Sequence, residues 1–441
     1  MSAVPDVEGY RQVAASGGHR AVVIGSDDSH EEIVLRGSTI ASHALTTERG
    51  VTLAYGERDR TTYVAADASM HPEDLAARAR DALRLLPGHA AAPREYADDP
   101  RDVTALPARS GPLVSSLVDH ADSWRCALEP LGDVEVEMRT TVRRRVVAYA
   151  DGRLGGTRHA SRTTVVLRVT ARSADGTTHL VRSGVVATPA DVLGLLRDVL
   201  VPRAVQEITL PRASPTTVLP ATGWPDLVIL DGQVAAQLVA LVGKSFSAES
   251  VQQQRSALAG SLARRIAATG VCLADDPVIA GGVVHGAFDD EGVPTARRLL
   301  VEDGILRSYL GTTALARQVT GAFAGNAWQS NRVSPPRPNG TSLHLTPSGR
   351  TLDLEASTVR VVQSHGLHMA NDITGDFSLG ATAVVLTADG PTLVSGLTVA
   401  GNVLQFLRDV HALGDRLAWS PGSVATYGAP DVLVSGLAVG F

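Results

Sequence analysis

PRASPTTVLPATGWP, Pro211 to Pro225, carries four prolines in fifteen residues and shows no sustained hydrophobic period. Proline fixes its own φ and withholds an N–H, so neither a helix nor a central strand runs easily through such a stretch. It reads as a linker, with a boundary near residue 220. That predicts an N-terminal domain over residues 1–220 and a second domain over 226–441. At 441 residues the chain is long enough for two or three domains of about 150 residues each.

Upstream of the linker the pattern is that of strands and a few helices. AVVIG (Ala21–Gly25) and EEIVLRG (Glu31–Gly37) alternate in the strand manner, and Gly50 and Gly56 punctuate the next β-rich run as turn points, which predicts an antiparallel meander. A helix is predicted from Pro72, with Glu73 and Asp74 in its first turn and Leu75, Ala79, Ala82, Leu83 and Leu86 on one face, until Pro87 and Gly88 stop it. A second helical stretch spans Ser115–Gly132. Long strands follow to about Val186, with hairpin turns at Asp151-Gly152 and Asp175-Gly176. A third helix is predicted behind Thr188 as N-cap, with Pro189 at its first position. The N-terminal domain is thus expected to be α/β, with a curved, largely antiparallel sheet and helices.

Downstream of the linker a helix is predicted over Gly232–Val242, a polar helical run over Ala248–Ala268, and then short strands separated by glycine. The fold class is α+β, with the C-terminal domain β-rich. The 42 glycines and 23 prolines make a turn-rich chain, and 4% aromatics leave the core to Val, Leu, Ile and Ala.

The net charge of −6 offers no general positive field to displace counterions from phosphates, so a charge-driven nucleic-acid or membrane-surface role is not expected. The N-terminus lacks a basic region followed by an apolar one, and no run approaches the ~20 apolar residues of a membrane span, so a cytoplasmic protein is expected. Cys126 and Cys272 are far apart and without neighbours at metal-ligand spacing, which supports neither a disulfide framework nor a zinc knuckle. Lys244 is the only lysine among many arginines.

Motifs that would carry chemistry are mostly missing. Neither HExxH nor HExxxH, the motifs that pair helix histidines with a water-activating Glu, occurs; GxSxG and a phosphate loop are absent as well. Two polar clusters remain. FDDEGVP places Asp289, Asp290 and Glu291 together, four residues after His285; such carboxylates could bind a hard cation, although Asp-Glu-Gly is also ordinary turn chemistry. QSHGLHMAND holds His365 and His368, followed by Asn371, Asp372 and Thr374, in a segment read as a loop.

From Gly286 the chain reads GAFDDEGVPTARRLLVEDGILRSYLGTTALARQVTGAFAGNA, followed by NDITGDFSLGATA (Asn371–Ala383) and LTVAGNVLQFLRDVHALGDRL (Leu397–Leu417). These segments, in this order, resemble the TldD/PmbA family: its Asp-Glu-Gly-x-Pro turn, its Gly-x-Leu-x-x-Tyr-Leu strand, its Asn-x-x-Thr-Gly-Asp-Phe-Ser signature and its Gly-Asn segment with the helix after it. The resemblance implies a C-terminal β-rich domain of TldD/PmbA type. It further implies one of two branches. The metal-bearing TldD branch carries HExxxH and a C-terminal cysteine, whereas here LVALVGKSFSAESVQQQRSALAG puts Leu241 and Phe246 nearest the two histidines, and WSPGSVATYGAPDVLVSG holds no cysteine.

What the resemblance implies is therefore the TldE-like subunit, with no metal or cofactor and no catalytic residue of its own. Its partner is expected to be a TldD-like subunit bearing a zinc-type divalent metal, the pair cleaving unfolded peptides or leader segments of modified peptides. This chain then supplies cavity wall and substrate-binding surface, with His285, Asp290, Glu291, His365, His368, Asn371, Asp372 and Thr374 as candidate substrate contacts. Two alternatives stay open: a stand-alone hydrolase using those same side chains, and a non-catalytic, peptide-binding homodimer.

Overall fold

The computed structural model describes residues 7–15, 20–36, 39–57, 60–85, 126, 134–151, 154–172, 179–186, 191–218, 224–279, 288–331, 334–349, 351–353 and 357–441. The Ser115–Gly132 stretch apart from Cys126, the turn glycines Gly152 and Gly176, and Thr188, Pro189 and His285 lie outside the described residues.

The N-terminal domain is built on one antiparallel sheet of strands β1 (Arg20–Arg36), β2 (Thr39–Glu57), β3 (Arg60–Asp67), β4 (Val134–Asp151), β5 (Leu154–Arg172) and β6 (His179–Val186), in spatial order β3-β2-β1-β4-β5-β6. Gly50 and Gly56, expected at turns, lie inside β2 instead, Gly50 between Ser26 and Asp67, and Gly56 between Arg20 and Thr61. AVVIG and EEIVLRG likewise belong to one strand, because the polar run between them continues the β1 ladder. The run stays laddered on both sides, to β2 and to β4, and Asp27 lies 3.7 Å from Arg49 of β2, an opposite charge across the strands.

Helices cover one face of this sheet. Pro72–Leu85 and Val7–Ala15 bury Leu75, Ala79, Leu83, Val7 and Tyr10 against Ala21, Val23, Val51, Leu53 and Tyr55. Further along, Val192–Leu195, a π turn over Leu196–Leu200 and Val201–Ile208 form one helical rod whose Val192, Leu196, Leu200 and Ala204 pack on Ile33, Leu35, Val165, Leu167 and Val169.

Past Ile208 the chain crosses over. Within the Pro-rich stretch, Arg212–Ala213 already pairs in parallel with Gly390–Asn402 of the C-terminal sheet. That sheet orders Val410–Leu413, Val432–Val434, Val228–Leu230, Val359–His365, Asp376–Thr387, Gly390–Asn402 and Ala438–Gly440. A second sheet holds Ile305–Leu306, Arg298–Glu302, Leu273–Asp275, Ser342–Leu345, Thr426–Ala429 and Ala418–Pro421.

The helix Gly232–Gly243 lies between the two sheets, and its apolar all-round sequence fits that place: Val234, Ala235, Leu238, Val239, Leu241 and Val242 are all buried in one core with both sheets. Asp231 caps it through Gln233 N, at 3.0 Å. Gly232 allows the close approach, since a Cβ there would sit 2.7 Å from the carbonyl oxygen of Ala429. The helical run expected over Ala248–Ala268 ends after Gln252. Gln254 and Ala263 take positive φ, and Ser256 turns back to bond the Ser245 carbonyl oxygen, so the chain folds into tight turns there. No helix among the described residues is long and apolar enough to cross a membrane.

Candidate functional site

The acidic turn is buried. Phe288 bridges to Pro294, and between them Asp289 Oδ1 accepts from the N–H groups of Glu291 (3.0 Å) and Val293 (2.9 Å), while Oδ2 accepts from Ala327 N at 2.9 Å. Asp290 Oδ2 accepts from Gln329 N at 2.7 Å, and Glu291 Oε2 from Thr313 N at 2.7 Å. Phe288 sits against Val22, Ile24, Ala54 and Tyr63 of the N-terminal sheet, and Gln329 donates to Thr52 Oγ1 at 3.4 Å. The turn thus fastens one domain to the other. Asp290 and Glu291, read as substrate contacts, hold backbone N–H groups of their own chain.

Burial pushes the Asp289 carboxyl well up, with Glu291 adding to it, and burial also raises Glu291. The Tyr63 hydroxyl is raised by burial and then by the charges of Glu291 and Asp289. Carboxyls whose folded-state pKa exceeds the unfolded value make the native state bind more protons than the unfolded one. Their contribution to stability therefore grows as pH falls from the raised values toward the ordinary carboxylate range near ~4. The urea midpoint should accordingly rise as pH is lowered from the neutral range toward the ordinary carboxylate range, and rise less in Asp289→Asn; equal slopes in the two proteins would exclude this source.

The second cluster lies at solvent. Val359–His365 ends in a left-handed Gly366, a short 3-10 turn Leu367–Met369 carries His368, and the chain returns as Asp376–Thr387. His365 and His368 are exposed, the His365 ring lying over Gly380 of the neighbouring strand. Asn371 Oδ1 accepts from Ile373 N (2.9 Å) and Thr374 N (3.0 Å), which shapes the loop from within. Thr374 Oγ1 donates to Asp376 Oδ2 at 2.7 Å, and Asp372 pairs with Lys244 Nζ at 2.7 Å.

Asn402 closes the unit. Its Nδ2 donates to the Thr374 carbonyl oxygen and to Asp376 Oδ1, both at 2.8 Å, and its Oδ1 caps the helix Val403–Arg408 through Leu404 N and Gln405 N. Those bonds hold the Asp376 carboxyl below the usual carboxylate range, Asn402 contributing most and Thr374 next. Gly375 takes φ 83°, and a Cβ there would meet Val403 at 2.8 Å, so glycine is required between Thr374 and Asp376. Asn402→Ala should cost about 1 kcal/mol through the lost cap alone. It should also speed amide exchange at Ile373 and Thr374; unchanged exchange there would mean the loop stands without Asn402.

The structure thus brings Asn371, Asp372 and Thr374 together with Lys244, Asp376 and Asn402, places His365 and His368 beside them in sequence on the exposed side, and gives the acidic turn a different set of neighbours. Lys244, Asp376 and Asn402 are absent from the sequence-derived set. The Gly-Asn segment and the Thr-Gly-Asp segment carry the signal for two of them, since each is a turn-and-cap motif in want of a partner. Lys244 has only its singularity.

Leu241 and Phe246, which the resemblance sets nearest the two histidines of a metal-bearing relative, are buried hydrocarbon in the core, on the helix Gly232–Gly243 and the turn Lys244–Phe246. Neither fits a metal ion. Among the described residues no group of three or more His, Cys, Asp or Glu could hold one.

Residues 227–440 match the model of the PmbA/TldA metallopeptidase C-terminal domain. A metalloprotease of Archaeoglobus fulgidus is 31% identical over 202 residues, 44% of this chain and 46% of that protein. Metalloprotease PmbA of Escherichia coli O157:H7 is 29% identical over 191 residues, 43% of this chain and 41% of that one. The chain thus spans about half the length of the curated relatives it matches. The crystal structure of TldE from Thermococcus kodakarensis superposes with a TM-score of 0.79 over 99% of this chain and 100% of that one, at 18% identity, a likeness of fold. Residues 227–440 thus form a C-terminal domain of the PmbA/TldD family, and the chain is alike in fold to TldE along its length.

Proposed function

We propose that this chain is the metal-free, TldE-like subunit of a two-subunit metallopeptidase, in which a TldD-like partner holds a zinc-type ion and cleaves extended peptides. The observation that carries this reading is the hydrocarbon character of Leu241 and Phe246: where a metal-bearing relative needs imidazoles, this chain packs its core. The exposed loop from His365 to Thr374, braced by Lys244 and Asn402, then acts as cavity wall, with His368 and the Lys244–Asp372 pair as contacts for peptide main chain and termini. Binding, positioning and exclusion of water fall to this chain; activation of the attacking water falls to the partner's metal. A cytoplasmic setting suits such a pair.

The test is metal content and peptidase activity of the purified chain, alone and then mixed with a TldD-like protein carrying HExxxH from the same organism. A metal-free, inactive chain that becomes part of a peptide-cleaving mixture supports the reading. Stoichiometric metal or turnover by the chain alone overturns it.

A further inference from the structure

Lys244 is the only lysine of the chain, one among 40 Lys and Arg residues taken together. Its side chain and that of Asp372 are half-exposed, and Nζ donates to Asp372 Oδ1 at 2.7 Å across 128 positions of sequence. At Arg84–Asp81, Arg197–Asp198 and Arg307–Glu302 the exposed pairs use arginine. A guanidinium bonds a carboxylate at least as well as an ammonium does, through two parallel N–H groups, so pairing alone gives no reason for a lysine at 244. What an amine offers and a guanidinium does not is a nitrogen that can give up its proton and be acylated.

The place of this amine gives such a step a consequence. Lys244 closes the helix Gly232–Gly243, whose carbonyl end favours a positive charge, and its partner lies inside residues 371–374, all of them exposed. Asp372 follows Asn371, whose Oδ1 holds Ile373 N and Thr374 N, and Asn402 holds the Thr374 carbonyl oxygen. The loop is thus tied to Asn402 at its far end and to Lys244 in its middle.

We propose that Lys244 is an acyl-acceptor site, and that its acylation releases the loop 371–374 from the end of the helix Gly232–Gly243. The donor is an acyl phosphate or an acyl thioester. The ammonium first yields a proton, which Asp372 Oδ1, at 2.7 Å, is placed to pass to solvent. The Nζ lone pair then attacks the donor carbonyl, the bond from the acyl carbon to the phosphate oxygen or thiol sulfur breaks with its electron pair, and the leaving group takes the second proton from the nitrogen. The product is a neutral amide, with one N–H left to donate but no charge for Asp372 or for the helix end. That a released loop alters peptide binding rests on the proposed function; the release itself does not.

The experiment uses the full chain alone and needs no metal-bearing partner, so it stands or falls apart from the reading of the function. The chain is incubated with acetyl phosphate, the acetyl groups are located by peptide mass mapping, and hydrogen exchange is followed at residues 371–376. Lys244 should take an acetyl group, faster as pH rises, and the acetylated chain should exchange these amides about two- to fivefold faster, the range for losing an exposed ion pair. Lys244→Gln should show the faster exchange without treatment. Lys244→Arg keeps the charge and should exchange as the parent does, before and after treatment. The proposal is overturned if the α-amino group is acetylated while Lys244 is not, or if the acetylated chain exchanges these amides as the untreated one does. A Lys244→Arg chain that responds to acetyl phosphate as the parent does equally overturns it.

Discussion

Arg182→Ala should destabilise the protein by about 3–5 kcal/mol, the range for removing one partner from a buried ion cluster. Arg182 is fully buried where β6 meets the C-terminal domain. Its guanidinium donates from Nε to Glu207 Oε2 at 3.0 Å and from Nη2 to Glu207 Oε1, and its Nη1 bonds the carbonyl oxygen of Val362 and lies 3.5 Å from Asp231 Oδ1. Burial alone would lower its pKa, but Asp231 and Glu207 outweigh that and raise it. Asp231 stays low against burial because Arg182 and Arg203 both face it, whereas burial wins at Glu207 and raises it.

Truncation at 182 therefore strands carboxylates in the interior and leaves the Val362 carbonyl oxygen without that donor. Urea unfolding of Arg182→Ala against the parent measures the cost. A loss under about 1 kcal/mol would mean that water enters and takes over the guanidinium's place. Arg182→Met with Glu207→Leu should recover part of the loss, because apolar replacement of a buried pair is often near neutral.

Phe288→Ala is the second large change, with an expected cost of about 3–5 kcal/mol for deleting a buried phenyl ring. Phe288 is 2% exposed and packs on Val22, Ile24 and Ala54, so the ring plugs one domain into the sheet of the other. Beyond the loss in stability, the two domains should part more readily, and limited proteolysis across residues 209–225 should quicken well before global unfolding. Cleavage there at the parent rate in a protein that is nonetheless destabilised would show that the other contacts between the domains, the Arg182 cluster among them, hold them together without the ring.

The two domain-joining devices show why only part of this architecture could be read beforehand. Local chemistry is legible: Pro72 starts its helix, and the apolar all-round Gly232–Val242 segment is a core helix. Contacts between distant segments are not. Arg182 looks like any arginine on an alternating strand until Glu207 and Asp231 are folded onto it. Gly50 and Gly56 look like turns because a strand as long as β2 is rare, and its continuation depends on neighbours β1 and β3. In the second cluster the loop chemistry of Asn371 was plain, whereas the bond from Asn402 to Asp376 joins two signatures that sequence spacing leaves separate.

The order of strands in the C-terminal sheet has a temporal side. Val228–Leu230 lies between Val359–His365 and Val432–Val434, so the first strand of the domain to leave the ribosome waits for two neighbours made much later. In the N-terminal sheet β1 waits in the same way for β4, with Ala21 opposite Ala150. Pairings of such long range must overcome loop closure before any contact rewards them, which makes folding slow and leaves apolar strands uncovered during synthesis. Refolding from urea should take milliseconds to seconds or longer rather than microseconds. During translation the nascent chain is a natural client for holding chaperones until Val434 is in place.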